Sequence, residues 1–230
     1  MYNHKQTFFG IFISATILLS SCGGGKPNYR VSLKTDADTV SYYYGYFTGK
    51  QVAEQGLDEI NTDALAKGWQ DALKGVELKE TMEEVNMFMQ MYFMNLQTRI
   101  SEKSLKEGQD FLEANKKKQG VVTLPSGLQY KIIREGTGAK PSEEDDVDVV
   151  YHGSLIDGTV FQSSKESGDT VTFTVGDVVP GFREALTQMN EGSIWEVYIP
   201  SELGYGEGGG GQIKPNSVLI FEIDLVKIVK

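Results

Sequence analysis

The chain reads as an α+β protein in two parts: an all-α helical part with a long connecting helix, then an antiparallel β-sheet wrapped around one short helix. Two observations predict this. Between about Asp36 and Gly120 apolar residues recur at the three- and four-residue spacing of helices, and from Val147 to Leu225 they switch to the alternation of half-buried strands. Length is the third, since 230 residues suffice for two modest domains with a core in each. The expected division is a processing segment at 1–21, a tether at 22–35, a helical domain at 36–120 and a sheet domain at 121–230.

The first element is not part of the fold. His4 and Lys5 precede an apolar run from Phe8 to Leu19, which is too short and too interrupted by Ser14 and Thr16 to span a bilayer. Leu19-Ser20-Ser21-Cys22 follows as a small-residue exit ending in cysteine. This order resembles a bacterial lipoprotein signal, which implies cleavage before Cys22 and lipid attachment to it. Cys22 is the sole cysteine, so stability rests on packing and not on a disulfide. Gly23 to Asn28 are small and polar, the composition of a flexible tether.

Three helices are expected next. Val40, Tyr43, Phe47 and Val52 mark the first, in which Gly45 and Gly49 leave a smooth stripe for close helix packing. Leu65, Trp69 and Leu73 mark the second, started by Asn61, Thr62 or Asp63. Thr81 and Glu84 form a capping box for the third, and neither proline nor glycine interrupts the chain from Met82 to Glu107. Met82, Val85, Met89, Tyr92, Leu96 and Ile100 fall on one buried face, whereas Met87, Phe88, Met91 and Met94 lie largely outside it. A helix apolar on more than one side calls for a second subunit, or else these residues fill an intramolecular core. Continued to about Lys118, the helix extends on the order of 50 Å. Its polar later half reads as a solvated strut, with Gly108 as a flexing point.

In the sheet domain Val147, Val149, Tyr151, Gly153 and Leu155 share one strand face, and Asp157-Gly158 supplies a hairpin turn. Val171, Phe173 and Val175 alternate in the next strand, as do Trp195, Val197 and Ile199, and then Leu219, Phe221, Ile223 and Leu225. Between them Phe182, Leu186 and Met189 stand at helical spacing, enough for one short helix across the apolar face.

Charge and composition exclude several functions. Residues 22–230 carry 21 basic and 32 acidic side chains, which argues against nucleic acid as a partner. The acidity sits in residues 121–230, with 8 basic against 17 acidic residues, and the run Glu143-Glu144-Asp145-Asp146 reads as a solvated loop and not a metal site. Two histidines, His4 and His152, do not make a metal cluster. Gly208 to Gly211 lacks the Lys-Ser/Thr pair of a phosphate loop, so no cofactor is expected.

The stretch from Val147 to Leu225 resembles the FKBP-type peptidyl-prolyl isomerase domain. The resemblance is carried by Val149, Tyr151, Gly153, Leu155, Asp157-Gly158, Phe161, Ser163-Ser164, Val178-Val179-Pro180-Gly181-Phe182, Ile199-Pro200, Glu202-Leu203, Tyr205-Gly206, Pro215, Leu219, Phe221-Glu222 and Leu225. With the Val40-Ser41-Tyr42 helix, the long helix and Ser126-Gly127-Leu128-Gln129-Tyr130 placed ahead of it, the whole order resembles the Mip and FkpA group. That implies homodimerisation through the amino-terminal helices. It also implies an apolar pocket in which Tyr151, Phe161, Val178, Val179, Phe182, Tyr205 and Phe221 surround a proline ring. Phe182 would be the floor, the Tyr205 hydroxyl and the Val179 N–H would bind substrate carbonyls, and Ile213 would close a wall from a flap at Gly208 to Gly211. Val171 or Phe173 would contribute from the neighbouring strand, while Tyr130, Trp195 and Tyr198 would be packing residues.

Two positions depart from the family pattern. Phe182 stands where tryptophan is usual, which widens the pocket and removes an indole N–H. Gln162 stands where aspartate is usual; it still accepts a hydrogen bond but is neutral and longer, so reduced turnover and weak macrolide binding are expected. The leading reading is a dimeric, lipid-anchored prolyl isomerase of the bacterial cell envelope, on the periplasmic side of the outer membrane, acting on unfolded proline-containing polypeptides during folding of exported proteins. The alternative is an envelope chaperone or binding module with weakened isomerase activity, which Gln162 favours.

Overall fold

The computed structural model describes residues 31–57, 59–165 and 168–229, so the signal segment, Cys22 and most of the tether lie outside the described residues. The described residues divide into two units, with the boundary between Tyr46 and Phe47. Helix α1 spans Asp36–Glu54. Its start is held by reciprocal capping: the Asp38 carboxylate accepts the Lys34 and Thr35 N–H groups at 3.1 and 2.9 Å, and the Thr35 hydroxyl accepts the Asp38 N–H.

Helix α2 spans Thr62–Leu73, and Asn61 proves to be its cap, accepting the Asp63 and Ala64 N–H groups at 3.0 Å each. Helix α3 spans Met82–Asn115, and both halves of the Thr81–Glu84 capping box are made. Its expected buried face divides in two. Leu96 is buried and Val85, Tyr92 and Ile100 are half-buried, but Met82 and Met89 are exposed, as are Met87, Phe88, Met91 and Met94 off that face.

The later half of α3 is no solvated strut. The Asn216 amide donates to the Ser101 hydroxyl at 2.8 Å, the Phe111 ring lies 5.9 Å from that of Tyr198, and Asn115 donates to the Gln129 side chain at 3.0 Å. Gln129 in turn donates to the Leu112 carbonyl at 2.9 Å. Gly108 is buried inside an unbroken helix, and a Cβ there would stand 2.8 Å from a Val218 methyl. Glycine at 108 therefore serves close approach of helix to sheet domain, not flexing.

The sheet is built from β1 (Val121–Thr123), β2 (Gln129–Arg134), β3 (Asp146–Leu155), β4 (Val160–Ser163), β5 (Val171–Thr174), β6 (Ile194–Ile199) and β7 (Leu219–Val229). All pairings are antiparallel, in the order β1-β2-β6-β7-β3-β4. β5 joins the same edge of β3 as β4 but lower down, opposite Asp146 to Val149. Asp157-Gly158 makes the expected turn, with the Gly158 N–H on the Leu155 carbonyl and φ at +84°.

Burial follows the alternation. Val147, Val149, Tyr151 and Leu155 on β3, Trp195, Val197 and Ile199 on β6, and Leu219, Phe221, Ile223 and Leu225 on β7 all face the core. Helix α4 (Pro180–Gln188) covers that face with Phe182, Ala185 and Leu186, and begins with proline at a position where no N–H is required. A Cβ at Gly181 would meet an Ile199 methyl at 2.4 Å, so α4 can lie this close only with glycine there. Tyr130 and Trp195 stack at 4.1 Å, and Tyr198 is buried beside Phe111, so these three are packing residues as expected.

Candidate active site

The curved face of the sheet and α4 enclose a cluster of aromatic rings. Tyr151 from β3, Phe182 from α4 and Phe221 from β7 are each no more than 5% exposed. Their rings meet edge to face: Phe182 and Phe221 lie 5.0 Å apart at 81°, and Tyr151 and Phe182 6.3 Å apart at 83°. Phe161 from β4 adds a fourth ring, 5.4 Å from Phe221 and nearly perpendicular to it. Both rings cross over Gly153, where a Cβ would come within 2.7 Å of Phe221 and 2.8 Å of Phe161. Glycine at this strand position is what lets the two rings close together.

Phe173 completes the cluster, 5.6 Å from Tyr151 and 6.4 Å from Phe182. Of the two residues left open on β5, it is Phe173 whose ring joins the bowl; Val171 packs against the core nearby. Val178 and Val179 are half-buried at the entrance to α4. Among the described residues the Val179 N–H has no hydrogen-bond acceptor, while its carbonyl accepts the Phe182 and Arg183 N–H groups at 3.0 Å. A backbone donor thus stands at the rim beside an apolar floor.

Two polar side chains and a flap finish the site. Burial pushes the Tyr151 ionisation above that of an ordinary phenol, Gln162 of β4 partly offsets the rise, and Tyr205 adds to it. Tyr151 is therefore a neutral donor throughout the physiological range. Tyr205 is 42% exposed and lies against the flap, whose Gly210 bridges to Ile213; Ile213 itself is 7% exposed and belongs to the core cluster. Gly209 holds φ at +63°, and a Cβ there would stand 2.4 Å from the Ile213 carbonyl, so the flap can fold back on itself only with glycine at this position.

Of the residues expected from the sequence, Tyr151, Phe161, Val178, Val179, Phe182, Ile213 and Phe221 belong to or pack against one core cluster, and Phe161, Gln162, Tyr205 and Ile213 line one cavity. Two contributions were missed. Gly153 gives no chemical signal, although an isolated glycine inside a strand pattern marks a close approach. Helical residues near Gln97 and Ile100 reach the site's outer cavity, and no local pattern points there.

An aromatic bowl with one rim donor and two hydroxyls has, among the described residues, no nucleophile–base pair. It is suited to a reaction in which no covalent bond is made or broken, such as rotation about an amide. The fold and site define a peptidyl-prolyl isomerase domain. Residues 137–226 match the family described as FKBP-type peptidyl-prolyl cis-trans isomerase, and residues 37–132 match the domain amino terminal to it. The outer membrane protein MIP of Legionella longbeachae is 47% identical over 207 residues, covering 86% of this chain and 88% of that protein. The peptidyl-prolyl cis-trans isomerase Mip of Coxiella burnetii is 37% identical over 227 residues, with 95% and 96% covered. The crystal structure of FkpA from Escherichia coli superposes with a TM-score of 0.64 at 29% identity, covering 86% of this chain and 98% of that one. The chain belongs to the FKBP-type peptidyl-prolyl cis-trans isomerase family, in its Mip and FkpA group.

Proposed function

We propose that this chain accelerates X-Pro bond rotation in exported polypeptides at the bowl of Tyr151, Phe161, Phe182 and Phe221, and that it does so as a lipid-anchored homodimer. The observation that carries the reading is the edge-to-face ring cluster, with a glycine flap beside Tyr205 lining the same cavity as Phe161. The barrier to rotation is about 18–20 kcal/mol and arises from amide conjugation. A dry apolar bowl disfavours the planar, polar ground state and accepts the twisted form, in which conjugation is lost. Phe182 and Phe221 form the floor under the proline ring, and Val178, Ile213 and Phe161 its walls. The Val179 N–H and the Tyr205 hydroxyl hold the flanking carbonyls, and Gln162 orients Tyr151 toward the twisting one. A stabilisation of 4 kcal/mol would give about a thousandfold in rate.

In this reading residues 1–21 are removed, Cys22 carries lipid, and residues 22–35 tether a helical dimerisation domain at 36–120 to the membrane, with the isomerase at 121–230. The end of α3 at Asn115 and the start of β1 at Val121 support the last boundary. The name of the Legionella longbeachae relative, an outer membrane protein, supports an outer-membrane address. Cys22→Ser should move the chain from the detergent phase to the aqueous phase on phase separation; equal partitioning of both forms would remove the anchor from the account.

Gln162 supports a second reading, a chaperone or binding module whose isomerase activity has weakened, because a neutral amide orients Tyr151 less strongly than a carboxylate. Tyr205→Ala separates the two. Proline-limited refolding of a client should slow about tenfold or more in this variant, with suppression of aggregation unchanged, if the bowl is the working site. Equal refolding by both forms would assign the assistance to a chaperone surface.

A further inference from the structure

The space beside the aromatic bowl is larger than a proline ring requires. A cavity of about 960 Å³ is lined by Phe161, Gln162, Tyr205 and the flap, and its remaining wall is helical: Gln97 and Ile100 of α3, with residues 53–56 at the end of α1. Such a volume is at the upper end of ligand sites, which run about 300–1,000 Å³. The helical wall is continuous, because Gly56 sits directly on α3, where a Cβ would be 2.5 Å from the Ile100 terminal methyl.

The chemistry of the lining is that of amides. Four glutamines, Gln55, Gln97, Gln162 and Gln212, face two charged residues of opposite sign, Glu54 and Lys214. A primary amide offers donors and an acceptor, the same functions a peptide group presents, and brings no charge with it. Gln55, Gln97 and Gln212 are solvent-exposed, so a long polypeptide can lie down along them without threading. The cavity is continuous with the bowl through Phe161 and Gln162, which places a client's residues next to its proline on this wall.

We propose that the helical wall at Gln97, Ile100 and Gln55 is a specificity-determining surface of the isomerase, which binds the extended residues flanking the proline and favours flanks without net charge. The proposal rests on the isomerase reading of the bowl and adds helical residues to its substrate site. Clients are thereby selected by a part of the chain remote in sequence from the pocket.

The test uses the full chain in detergent micelles, unaltered and as Gln97→Lys, Gln97→Glu and a control, Gln119→Lys, which adds the same charge outside the cavity. Lysine and glutamate are good helix formers, so the exposed position tolerates both. Rates are measured at low salt for a tetrapeptide with a Leu-Pro-Phe core, and for longer peptides with the same core and neutral, glutamate-rich or lysine-rich flanks. Gln97→Lys should raise kcat/KM for acidic flanks over basic ones by about fivefold relative to the unaltered chain, and Gln97→Glu should reverse the preference, as expected for a few solvated charge pairs. Each flank preference is read relative to that protein's own tetrapeptide rate, and Gln119→Lys should leave the tetrapeptide rate unchanged. Unchanged flank ratios with the tetrapeptide still accelerated would overturn the helical wall and leave the isomerase standing, and so would an equal shift in Gln119→Lys. Failure of the unaltered chain on the tetrapeptide would remove the isomerase reading and this proposal with it.

Discussion

In the proposed mechanism Gln162 acts on the bowl through Tyr151. Its neutral amide acts on a phenol whose ionisation is pushed up by burial, so the pair carries no charge at any physiological pH. A carboxylate in its place would accept from the same hydroxyl with charge assistance, and such bonds are roughly twice as strong as neutral ones. Gln162→Asp should therefore raise the isomerisation rate about fivefold, on the order of 1 kcal/mol. The gain needs the ionised carboxylate. It should be full at neutral pH and disappear as pH falls through the usual aspartate range near about 4. An equal or slower rate at neutral pH, or a gain that persists in acid, would mean that Gln162 does not act by orienting Tyr151. The departure at Gln162 was legible because it interrupts a Phe-Asp-Ser-Ser order, whereas the closeness of the Phe161 and Phe221 rings over Gly153 was not, since a missing side chain announces nothing about what crosses it.

Among the elements, α3 shows where periodicity informs and where it misleads. Thr81 and Glu84 predicted its start because a capping box is a local event, settled within one turn. Its polar second half suggested exposure, yet Gly108, Phe111 and Asn115 dock on the sheet domain. Docking through one glycine, one ring and one amide leaves no hydrophobic stripe to read. Its first half does carry apolar side chains, and there Met82, Met87, Phe88, Met89, Met91 and Met94 stand 44–67% exposed in the single chain. That surface, with Leu65 and Leu73 of α2 exposed as well, suits a second copy of the chain as its cover. Sedimentation at micromolar concentration should show a dimer, and Phe88→Glu combined with Met91→Glu should give a monomer that retains its helicity. A monomeric unaltered chain, or a doubly substituted chain that remains dimeric, would reject this interface.

At the scale of the whole molecule, the site draws on β3, β4, β5, β7, α4 and the flap, all between Asp146 and Val229. The alternation of β3 and β7 announced the inward-facing rings, and the order of turns and aromatics announced the family. What the sequence left unread are contacts that join distant segments, such as Asn216 to Ser101, 115 positions apart, or the cavity wall that Gln97 shares with the flap. No periodicity encodes such pairs; they follow from how the helix is laid against the finished sheet.

The central claim is that the ring cluster lowers the barrier to X-Pro rotation. It is tested most directly by the cis-to-trans relaxation rate of a short Leu-Pro-Phe peptide with residues 23–230, beside the same chain carrying Phe161→Ala. Phe161 is half-buried and packs on Phe221, so its loss opens the bowl to water with the fold retained. The account predicts acceleration by the unaltered chain and its loss in Phe161→Ala. No acceleration by the unaltered chain, or equal rates in the two, would contradict it.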